Sequence, residues 1–560
     1  MDYKEKINEW LNSKIINEDY KDEIREINDQ EELKDRFYKY LEFGTAGLRG
    51  KIGAGTNRMN IYLVAKVSQA ISNILNKKEN ENKSVAISRD NRLFSEEFTK
   101  VTASVFAANG IKVYLYKNIK PTPMLSYAVR YLSASAGVMI TASHNPKDYN
   151  GYKLYWDKGS QILEDVADQV SRENTKLKFD DIKIMDFEKA IDEDLIEYIS
   201  KELEDSYYKK TLSMAINDKD LDKDIKIVYT PLHGTGNIPV RHVLKERGFN
   251  NIILVEDQAI ADPYFTTIDY PNPEFIEAFK YGLEYGKKYD GDLILATDPD
   301  CDRVSFMAKD KNGEYKSFNG NQIGAMMIYY ILSQLKEKNK LDSKDAIVKS
   351  VVTGNLGKII ADDFSVKCFE SLTGFKNICN YANIWDEDKE NEFLFGYEES
   401  IGYVFGDYVR DKDAVVSSMI ICEMAAYYKK KSMTLVDLLD EIYEKYGYYK
   451  ENLLNFKFEG IAGKKHIEKI ISYFRNEDIG KDLGLDVKEK IDYKEGYKGL
   501  PATNLLIFHL NNDSWFAVRP SGTEPKIKFY IYANDKLEEK SQEKLDKIAD
   551  KIKKKIEELA

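Results

Sequence analysis

Three aspartates occupy alternate positions in the segment DPDCDR at 298–303, directly after an apolar run from Leu293 to Thr297. In a tight loop, carboxylates at this spacing can turn their oxygens toward one centre, and such a hard oxygen set suits Mg²⁺. An EF-hand does not fit, because its sixth position would need glycine and its twelfth glutamate. The alternative is a solvated acidic turn. The buried strand expected before the loop favours a metal site, with Asp298, Asp300 and Asp302 as ligands.

Ser143 lies in the segment TASHNP at 141–146, where an apolar run from Ala136 to Ile140 opens into a loop. Ligands of open α/β sheets bind at the carboxyl ends of the strands, so this serine is well placed to meet a substrate. Its neighbour His144 does not make a catalytic triad, which needs partners in space and not in sequence. Because Ser and Asn are also common turn residues, the segment by itself assigns no role to Ser143.

Three further segments carry weaker chemical signals. RPSGTEPK at 519–526 combines a guanidinium, hydroxyls and a glycine, which is typical of a phosphate-binding loop and equally of a hairpin turn. FGYEES at 395–400 offers two carboxylates and a hydroxyl able to hold sugar hydroxyls, although a solvent-facing acidic loop has the same composition. FGTAGLRG at 43–50 is a glycine-rich loop that reaches the cation Arg49, and a flexible loop is its alternative.

The composition is that of a water-soluble globular protein. The 560 residues exceed what one hydrophobic core usually organises, so three or four domains are expected. Apolar residues make up 43% and charged residues 32%, with a mean hydropathy of -0.52. A net charge of -12 and a pI near 5.3 offer no broad positive field, so nucleic acid is not an expected partner.

The expected compartment is the cytoplasm. The four cysteines form no Cys-x-x-Cys pair and are too sparse for a disulfide scaffold, which fits a reducing environment. The first residues lack the apolar stretch of a signal peptide, and no apolar run has the length of a membrane span, so no membrane association is expected.

Apolar runs alternate with helical patterns along most of the chain, which predicts an α/β fold with mostly parallel sheets. The predicted strands are 84–88, 111–116, 136–140, 225–229, 252–255, 293–297, 347–352 and 393–395. The predicted helices are 96–109, closed by Gly110, 123–132, one near Val240, and 415–428. The charged segment from Glu164 to Asp224 keeps apolar residues and is predicted to form helices and linker.

The last hundred or so residues differ from the rest. Strand-like runs at 505–510, 515–518 and 527–532 precede a helix rich in Lys and Glu. Leu545, Ile548, Ile552 and Ile556 recur there at helical spacing, so one face of this helix is expected in a core. The sequence therefore predicts a small α+β unit at the C-terminal end.

Taken together and in this order, the segments resemble the α-D-phosphohexomutase superfamily of phosphoglucomutases and phosphomannomutases. They extend from Gly44 to Lys526 and cover nearly the whole chain. The resemblance implies three successive related α/β domains with mixed, mostly parallel sheets, and a smaller C-terminal α+β domain, around a central cleft. The expected domains are 1–205 with the phosphoserine, 206–318 with the metal, 319–450 for sugar recognition and 451–560 for phosphate binding.

By this resemblance, Ser143 is carried as a phosphoserine whose phosphate joins the three aspartates around Mg²⁺. A sugar hydroxyl attacks the phosphoserine, giving a bisphosphorylated sugar that turns over in the cleft and returns its other phosphate to the serine. Lys153 corresponds to a lysine acting in proton transfer, and Arg49 and Arg303 to cations near the phosphoryl group. The positions matching contacts to the substrate are Glu398 and Ser400 for the sugar hydroxyls and Arg519, Ser521, Gly522 and Thr523 for the non-reacting phosphate.

The resemblance favours glucose over mannose phosphates. The phosphomannomutase/phosphoglucomutase branch has a histidine that aligns with Gly402 here, and Lys376 is expected to take over its role. Interconversion of glucose 1-phosphate and glucose 6-phosphate is therefore predicted, with glucose 1,6-bisphosphate as activator and a monomer or weak homodimer as the assembly. The segment RDKDA at 410–414 resembles a subgroup that also holds phosphopentomutases, so pentose phosphates stay open.

A phosphatase and a non-enzymatic sensor are the alternative functions. A phosphatase would release the phosphoryl group to water, whereas a phosphate-gripping fourth domain suits retention of a bisphosphate in a water-poor cleft. A non-enzymatic sugar-phosphate sensor on this fold would be expected to have lost Ser143 or one of the three aspartates, and all four residues are present.

Overall fold

The computed structural model describes residues 2–44, 47–77, 83–458, 460–521 and 526–559. Four sheets follow one another along the chain, and each anchors one structural unit. Three of them are mixed, with parallel strands that reach one edge and antiparallel pairing toward the other edge, and the fourth is antiparallel throughout. The predicted fold class, three α/β units and an α+β unit, is confirmed.

The first unit surrounds a six-stranded sheet. Its elements are α1 (Tyr3–Asn12), α2 (Glu18–Glu26), α3 (Gln30–Phe37), β1 (Leu48–Lys51), α4 (Ile61–Lys77), β2 (Ser84–Arg89), α5 (Ser95–Ala108), β3 (Lys112–Leu115), α6 (Thr122–Tyr131), β4 (Ala136–Ile140), β5 (Tyr149–Trp156), α7 (Glu164–Lys176), α8 (Phe187–Asp192), β6 (Ile196–Tyr198) and α9 (Lys201–Ser213). The strand order is β1-β5-β4-β2-β3-β6. The predicted charged segment from 164 to 224 is thus mostly helical, and its one short strand extends the sheet.

The strand that delivers Ser143 is buried along its whole length. All five residues of β4 are buried, and helix α6 packs tightly over it, since a side-chain carbon on Gly137 would lie 2.5 Å from Val129. Helix α5 ends before Gly110, whose φ of 72° suits a glycine after a helix end, as the sequence predicted. This rigid layer fixes where the loop after β4 begins.

The second unit delivers the three aspartates. Its elements are β7 (Ile227–Thr230), α10 (Asn237–Glu246), β8 (Ile252–Leu254), α11 (Lys280–Tyr289), β9 (Leu293–Thr297), β10 (Val304–Lys309) and β11 (Tyr315–Ser317). The order is β11-β10-β9-β7-β8, and β9 turns back antiparallel into β10. The acidic segment is therefore the turn between two central strands.

The third unit contributes a four-stranded sheet and long apolar helices. Its elements are α12 (Gly320–Glu337), β12 (Asp345–Ser350), α13 (Leu356–Asp363), β13 (Lys367–Ser371), α14 (Phe375–Asp388), β14 (Glu392–Glu398), β15 (Gly402–Phe405), α15 (Ala414–Lys430) and α16 (Leu435–Tyr446). The order is β13-β12-β14-β15. One continuous hydrophobic core joins this unit to the second unit and to helix α6 of the first. The three units are therefore held together by packing, not only by the chain.

The fourth unit is a five-stranded antiparallel sheet with a core of its own. Its elements are β16 (Tyr448–Lys457), α17 (Gly460–Asn476), α18 (Ile479–Leu483), β17 (Val487–Asp492), β18 (Leu506–Leu510), β19 (Trp515–Pro520), β20 (Lys526–Asp535) and α19 (Glu538–Leu559). The order is β16-β20-β19-β18-β17. The four apolar residues predicted to face the core from α19 are buried there.

The exact domain limits remain a proposal. The expected limit at 205/206 falls inside α9, and the one at 450/451 falls inside β16, whose ladder with β20 runs unbroken from Tyr448 to Lys457. We propose that the fourth domain begins after Gly447, at the end of α16, and that the first domain includes all of α9.

Candidate active site

The loop of Ser143 meets the acidic turn of the second unit. Ser143 Oγ donates a hydrogen bond to Asp298 Oδ2 at 3.0 Å, and the serine is only 3% exposed. Its φ is 53°, a left-handed conformation that non-glycine residues rarely adopt. Thr141 Oγ accepts a hydrogen bond from the main-chain N–H of Ser143 at 2.8 Å. The structure therefore brings together the two segments that the sequence singled out first.

The three aspartates form one buried cluster. A carboxylate oxygen from each can be chosen so that all three lie within 4.8 Å of one another, and the residues are at most 1% exposed. Burial, together with Asp300 and Asp302, raises the pKa of Asp298 well above its usual value. Such crowding is unfavourable unless a cation balances it.

Two oxygens of this cluster suit a metal ion. Oδ1 of Asp300 and Oδ1 of Asp302 are buried and have no hydrogen-bond partner among the described residues. A buried carboxylate oxygen without a partner is costly, and a hard divalent cation such as Mg²⁺ would satisfy it. Asp298 Oδ1 is instead fixed by the main-chain N–H groups of Asp302 and Arg303, at 3.1 and 2.9 Å. The residues thus fit the expected metal.

Lys153 lies across the aspartates from Ser143. It stands on β5, paired in register with Met139 of β4, and its Nζ is 2.7 Å from Asp300 Oδ2 and 3.1 Å from Asp302 Oδ2. Burial lowers the pKa of Lys153, but the two aspartates outweigh it, and the pKa lies above its usual value. In this arrangement the lysine is a buried ammonium paired with Oδ2 of both aspartates, which leaves their Oδ1 atoms for a metal.

Arg303 connects the acidic turn to the third unit. It donates to the main-chain oxygen of Ser400, and its Nη2 is 3.5 Å from Glu398 Oε1. Burial raises the pKa of Glu398, while Lys412 and Arg303 partly offset that effect. Glu398 ends β14 and Ser400 lies in the turn to β15, so both candidate sugar contacts adjoin the Arg303 side chain.

Lys412 belongs to this site, and sequence reasoning missed it. Its Nζ lies 3.4 Å from Asp302 Oδ2 and 3.3 Å from Asp411 Oδ1. A side-chain carbon on Gly402 would lie 2.2 Å from Lys412 Cδ, so the lysine stem fills the space beside that glycine. A signal was present: four charged residues at 410–413 directly precede the apolar helix α15, and all four are buried.

Lys376 is placed differently from the expectation. Its Nζ is 3.0 Å from Glu164 Oε1, at the start of α7, so it bridges the third and first units. No described contact joins it to the aspartates, to Ser143 or to Glu398. Arg49, on β1, is exposed and donates to Asn145 of the serine loop at 3.2 Å.

The expected phosphate loop lies at the end of β19. Arg519 pairs in register with Lys528 of β20, and Ser521 N donates to the main-chain oxygen of Lys526 at 2.8 Å. Gly522 and Thr523 lie outside the described residues. His144 lies beside Ser143, with its Nδ1 3.3 Å from Ser143 Oγ. Burial, then Arg303 and Arg49, lowers the pKa of His144 well below its usual value, so the ring is neutral.

Comparison with known proteins follows the four units. Models of the phosphoglucomutase/phosphomannomutase family match domain I at residues 40–181, domain II at 205–313, domain III at 319–446 and the C-terminal domain at 484–555. These matches cover most of the chain. The chain belongs to the phosphoglucomutase/phosphomannomutase family, and the predicted superfamily is confirmed.

Two curated relatives are similar to this chain over most of its length. A phosphoglucomutase of Staphylococcus haemolyticus is 39% identical over 521 residues, which is 90% of this chain and 93% of the relative. A phosphoglucomutase of Staphylococcus saprophyticus is 37% identical over 534 residues, covering 93% and 95%. The prediction of a phosphoglucomutase, made from the motifs, is confirmed by the name of these relatives.

Solved structures confirm the fold. Parafusin of Paramecium, a phosphoglucomutase in an open form, superposes with a TM-score of 0.69 at 18% identity and covers 93% of this chain and 95% of its own. A phosphoglucomutase/phosphomannomutase family protein of Burkholderia thailandensis gives a TM-score of 0.66 at 17% identity and covers 91% of this chain and 96% of the Burkholderia chain.

Among the described residues, no helix is both long and apolar enough to span a bilayer.

Proposed function

We propose that this protein is a phosphoglucomutase that interconverts glucose 1-phosphate and glucose 6-phosphate through phospho-Ser143. The observation that carries the proposal is the hydrogen bond of 3.0 Å between Ser143 Oγ and Asp298, inside a buried acidic cluster that also holds Lys153. A nucleophilic hydroxyl, a metal-binding carboxylate set and a buried cation are the parts that phosphoryl transfer needs. The relatives named phosphoglucomutase support the substrate.

In the forward reaction, the 6-hydroxyl oxygen of glucose 1-phosphate attacks the phosphorus of phospho-Ser143. A phosphorus–oxygen bond forms to the sugar as the bond to Ser143 Oγ breaks. The sugar hydroxyl loses its proton and Ser143 Oγ gains one, so no proton is gained or lost overall. The glucose 1,6-bisphosphate then reorients in the site and presents its 1-phosphate. That phosphoryl group is transferred to Ser143 Oγ as its bond to the sugar oxygen breaks, which leaves glucose 6-phosphate. The burial of the site limits loss of the phosphoryl group to water.

Asp298, Asp300 and Asp302 are the proposed ligands of Mg²⁺, together with the phosphoserine. When bound, the ion offsets negative charge on the transferring phosphoryl group. Lys153, which lies beside Asp300 and Asp302, is the group proposed to assist this proton transfer. Arg303 adds a fixed positive charge there, and Arg49 is proposed to approach the phosphoryl group from β1.

We propose that Lys412, and not Lys376, takes the place of the histidine found in the phosphomannomutase/phosphoglucomutase branch of the family. Two observations support this reassignment: the Lys412 stem fills the space beside Gly402, and Nζ of Lys412 lies 3.4 Å from Asp302 Oδ2. Lys376 instead faces Glu164 of the first unit. Glu398 and Ser400 are proposed to bind sugar hydroxyls, and Arg519, Ser521, Gly522 and Thr523 to bind the non-reacting phosphate.

Four further assignments belong to the same proposal. The metal is Mg²⁺, and glucose 1,6-bisphosphate is the activator that maintains the phosphoserine. The protein acts in the cytoplasm on small phosphosugars. Its assembly is a monomer or a weak homodimer, which sedimentation of the purified chain at several concentrations would determine.

The deciding experiment is a coupled assay of glucose 1-phosphate, mannose 1-phosphate and ribose 1-phosphate, with Mg²⁺ and a trace of glucose 1,6-bisphosphate. Much the highest kcat/KM for glucose 1-phosphate is expected. A preference for ribose 1-phosphate or mannose 1-phosphate would keep the mechanism and replace the substrate. Binding of these sugars without any turnover would instead support the sensor, and release of inorganic phosphate would support a phosphatase.

A further inference from the structure

A buried arginine away from the acidic cluster holds the loop that carries Ser143. The side chain of Arg92 is 0% exposed, and its two terminal nitrogens donate to four main-chain oxygens of that loop. The acceptors are the oxygens of Ser143 at 2.5 Å, Asn145 at 2.6 Å, Pro146 at 2.8 Å and Tyr149 at 3.2 Å. One planar guanidinium thus fixes the path of the loop at four points.

The same arginine is paired with a carboxylate that reaches the other side of Ser143. Asp90 Oδ2 lies 3.2 Å from Arg92 Nε and accepts a hydrogen bond from Thr141 Oγ at 2.6 Å. Thr141 Oγ in turn accepts from Ser143 N–H at 2.8 Å. Both main-chain polar groups of Ser143 are therefore tied to the Asp90–Arg92 ion pair, directly through the C=O and through Thr141 for the N–H.

Residues of the second unit pack against Arg92 and its neighbour Asn91. Phe265 places its ring centre 5.0 Å from Arg92 Cζ, and Asn91 donates its amide to the main-chain oxygen of Asp262 at 2.9 Å. The second unit also supplies Asp298. Arg92 therefore lies at the contact between the first unit, which carries Ser143, and the second unit, which carries Asp298.

We propose that Arg92 is a positioning residue for phosphoryl transfer, which holds Ser143 in its left-handed conformation and so aims Oγ at the acidic cluster. Residues in such conformations persist only where the surroundings fix them. Arg92 makes no described hydrogen bond or ion pair with Asp298, Asp300 or Asp302, and its longer-range electrostatic effect on Asp298 and Asp300 is kept when lysine replaces it, so a loss in Arg92→Lys reports its action through the loop. The proposal rests on the proposed mutase function.

The test compares Arg92→Lys with a matched variant, Arg247→Lys, in the full-length chain. Arg247 is also a buried arginine: it lies 2.9 Å from the buried Glu423 and donates to the main-chain oxygen of Asn217, far from Ser143 in the chain. Lysine keeps the charge in both variants but cannot donate to four carbonyls from one plane. The readouts are kcat, KM and amide hydrogen exchange of peptides covering 141–150.

For Arg92→Lys, kcat is expected to fall about 100-fold with KM nearly unchanged, because a misplacement of about 1 Å costs that much. Exchange within 141–150 is expected to rise in this variant and to stay unchanged in Arg247→Lys, whose kcat per folded molecule remains that of wild type. Added guanidinium is expected to restore part of the activity of Arg92→Ala.

Three results would overturn the positioning role: an unchanged kcat in Arg92→Lys, an equal fall in Arg247→Lys, or unchanged exchange at 141–150. If Arg92→Ala does not fold, the lysine variant alone carries the test. The exchange readout does not depend on the substrate. An inactive wild-type protein would therefore refute the proposed function, while the exchange comparison would still decide the role of Arg92.

Discussion

Replacing Lys412 by methionine separates the two lysines considered for the same role. Methionine keeps most of the stem beside Gly402 and removes the charge that lies 3.4 Å from Asp302 Oδ2. A fixed charge placed at the reacting centre typically contributes about 10²- to 10³-fold to rate, so kcat/KM for glucose 1-phosphate is expected to fall within that range. Lys376→Met leaves every described contact of the acidic cluster in place, because Lys376 pairs with Glu164 of the first unit, so kcat/KM should change by less than about fivefold.

The stability of the Lys412 variant must be measured beside its activity. Breaking a buried ion pair typically costs about 3–5 kcal/mol, which is an upper bound here because Lys153 stays 3.1 Å from Asp302. Thermal unfolding and substrate protection would show whether the variant is folded at the assay temperature. The coupled assay is then expressed per folded molecule.

The assignment to Lys412 is wrong if Lys376→Met loses as much activity as Lys412→Met. It is also wrong if Lys412→Met retains near-wild-type kcat/KM, since the contact with Asp302 would then be structural only. Lys412→Arg is a useful companion, because it keeps the charge while the wider head group must still pass Gly402. Partial activity in that variant would point to charge as the main contribution.

Two other changes test the rest of the site, and a third tests a buried carboxyl on β16. Ser143→Ala should abolish turnover without unfolding the protein, and mass spectrometry should find no phosphoryl group acquired from glucose 1,6-bisphosphate; full activity would refute the serine assignment. Asp300→Asn should weaken Mg²⁺ binding in calorimetry and lower kcat by at least about 10²-fold, whereas unaltered Mg²⁺ dependence would remove Asp300 from the metal site. Glu451→Gln should stabilise the protein above pH 7 and have no effect below about pH 4.5, because burial raises the pKa of Glu451 to about 7 and wild type pays for ionising it only above its unfolded-state pKa; the gain is at most about 3 kcal/mol, and equal unfolding midpoints for the two proteins at pH 8.5 would contradict it.

Much of the fold follows from local patterns. The apolar runs ending at Ile140 and Thr297 are the buried strands β4 and β9, and the two loops after them meet as expected. The positions of the antiparallel strands were not predicted. Lys153, for example, lies on β5, which pairs antiparallel with both β1 and β4 but is buried on both faces, so its sequence lacks the alternation of a half-exposed antiparallel strand.

The contacts between residues far apart in the chain could not be read from the sequence. Lys412 reaches Asp302 from a different unit, and Arg92 reaches four carbonyls of a loop that begins some fifty residues later. Periodicity describes which face of an element is buried, but it carries no information on which distant side chain fills a given space. A family likeness supplied Lys376 as the replacement for the histidine, and only the packing around Gly402 points to Lys412.

The division of the site between units explains why its parts are so tightly held. Ser143 comes from the first unit, the aspartates from the second, and Lys412 and Glu398 from the third, so an error in packing between units would separate the nucleophile from its partners. The shared core of the second and third units and the packing of the second unit against Arg92 both oppose such an error. The fourth unit has a core of its own, shares a smaller core with Val351 and Val352 of the third unit, and supplies only the proposed phosphate contacts. Fixed geometry is therefore concentrated where bonds form and break, and the binding of the non-reacting phosphate is assigned to a unit whose main core is separate from that shared by the second and third units.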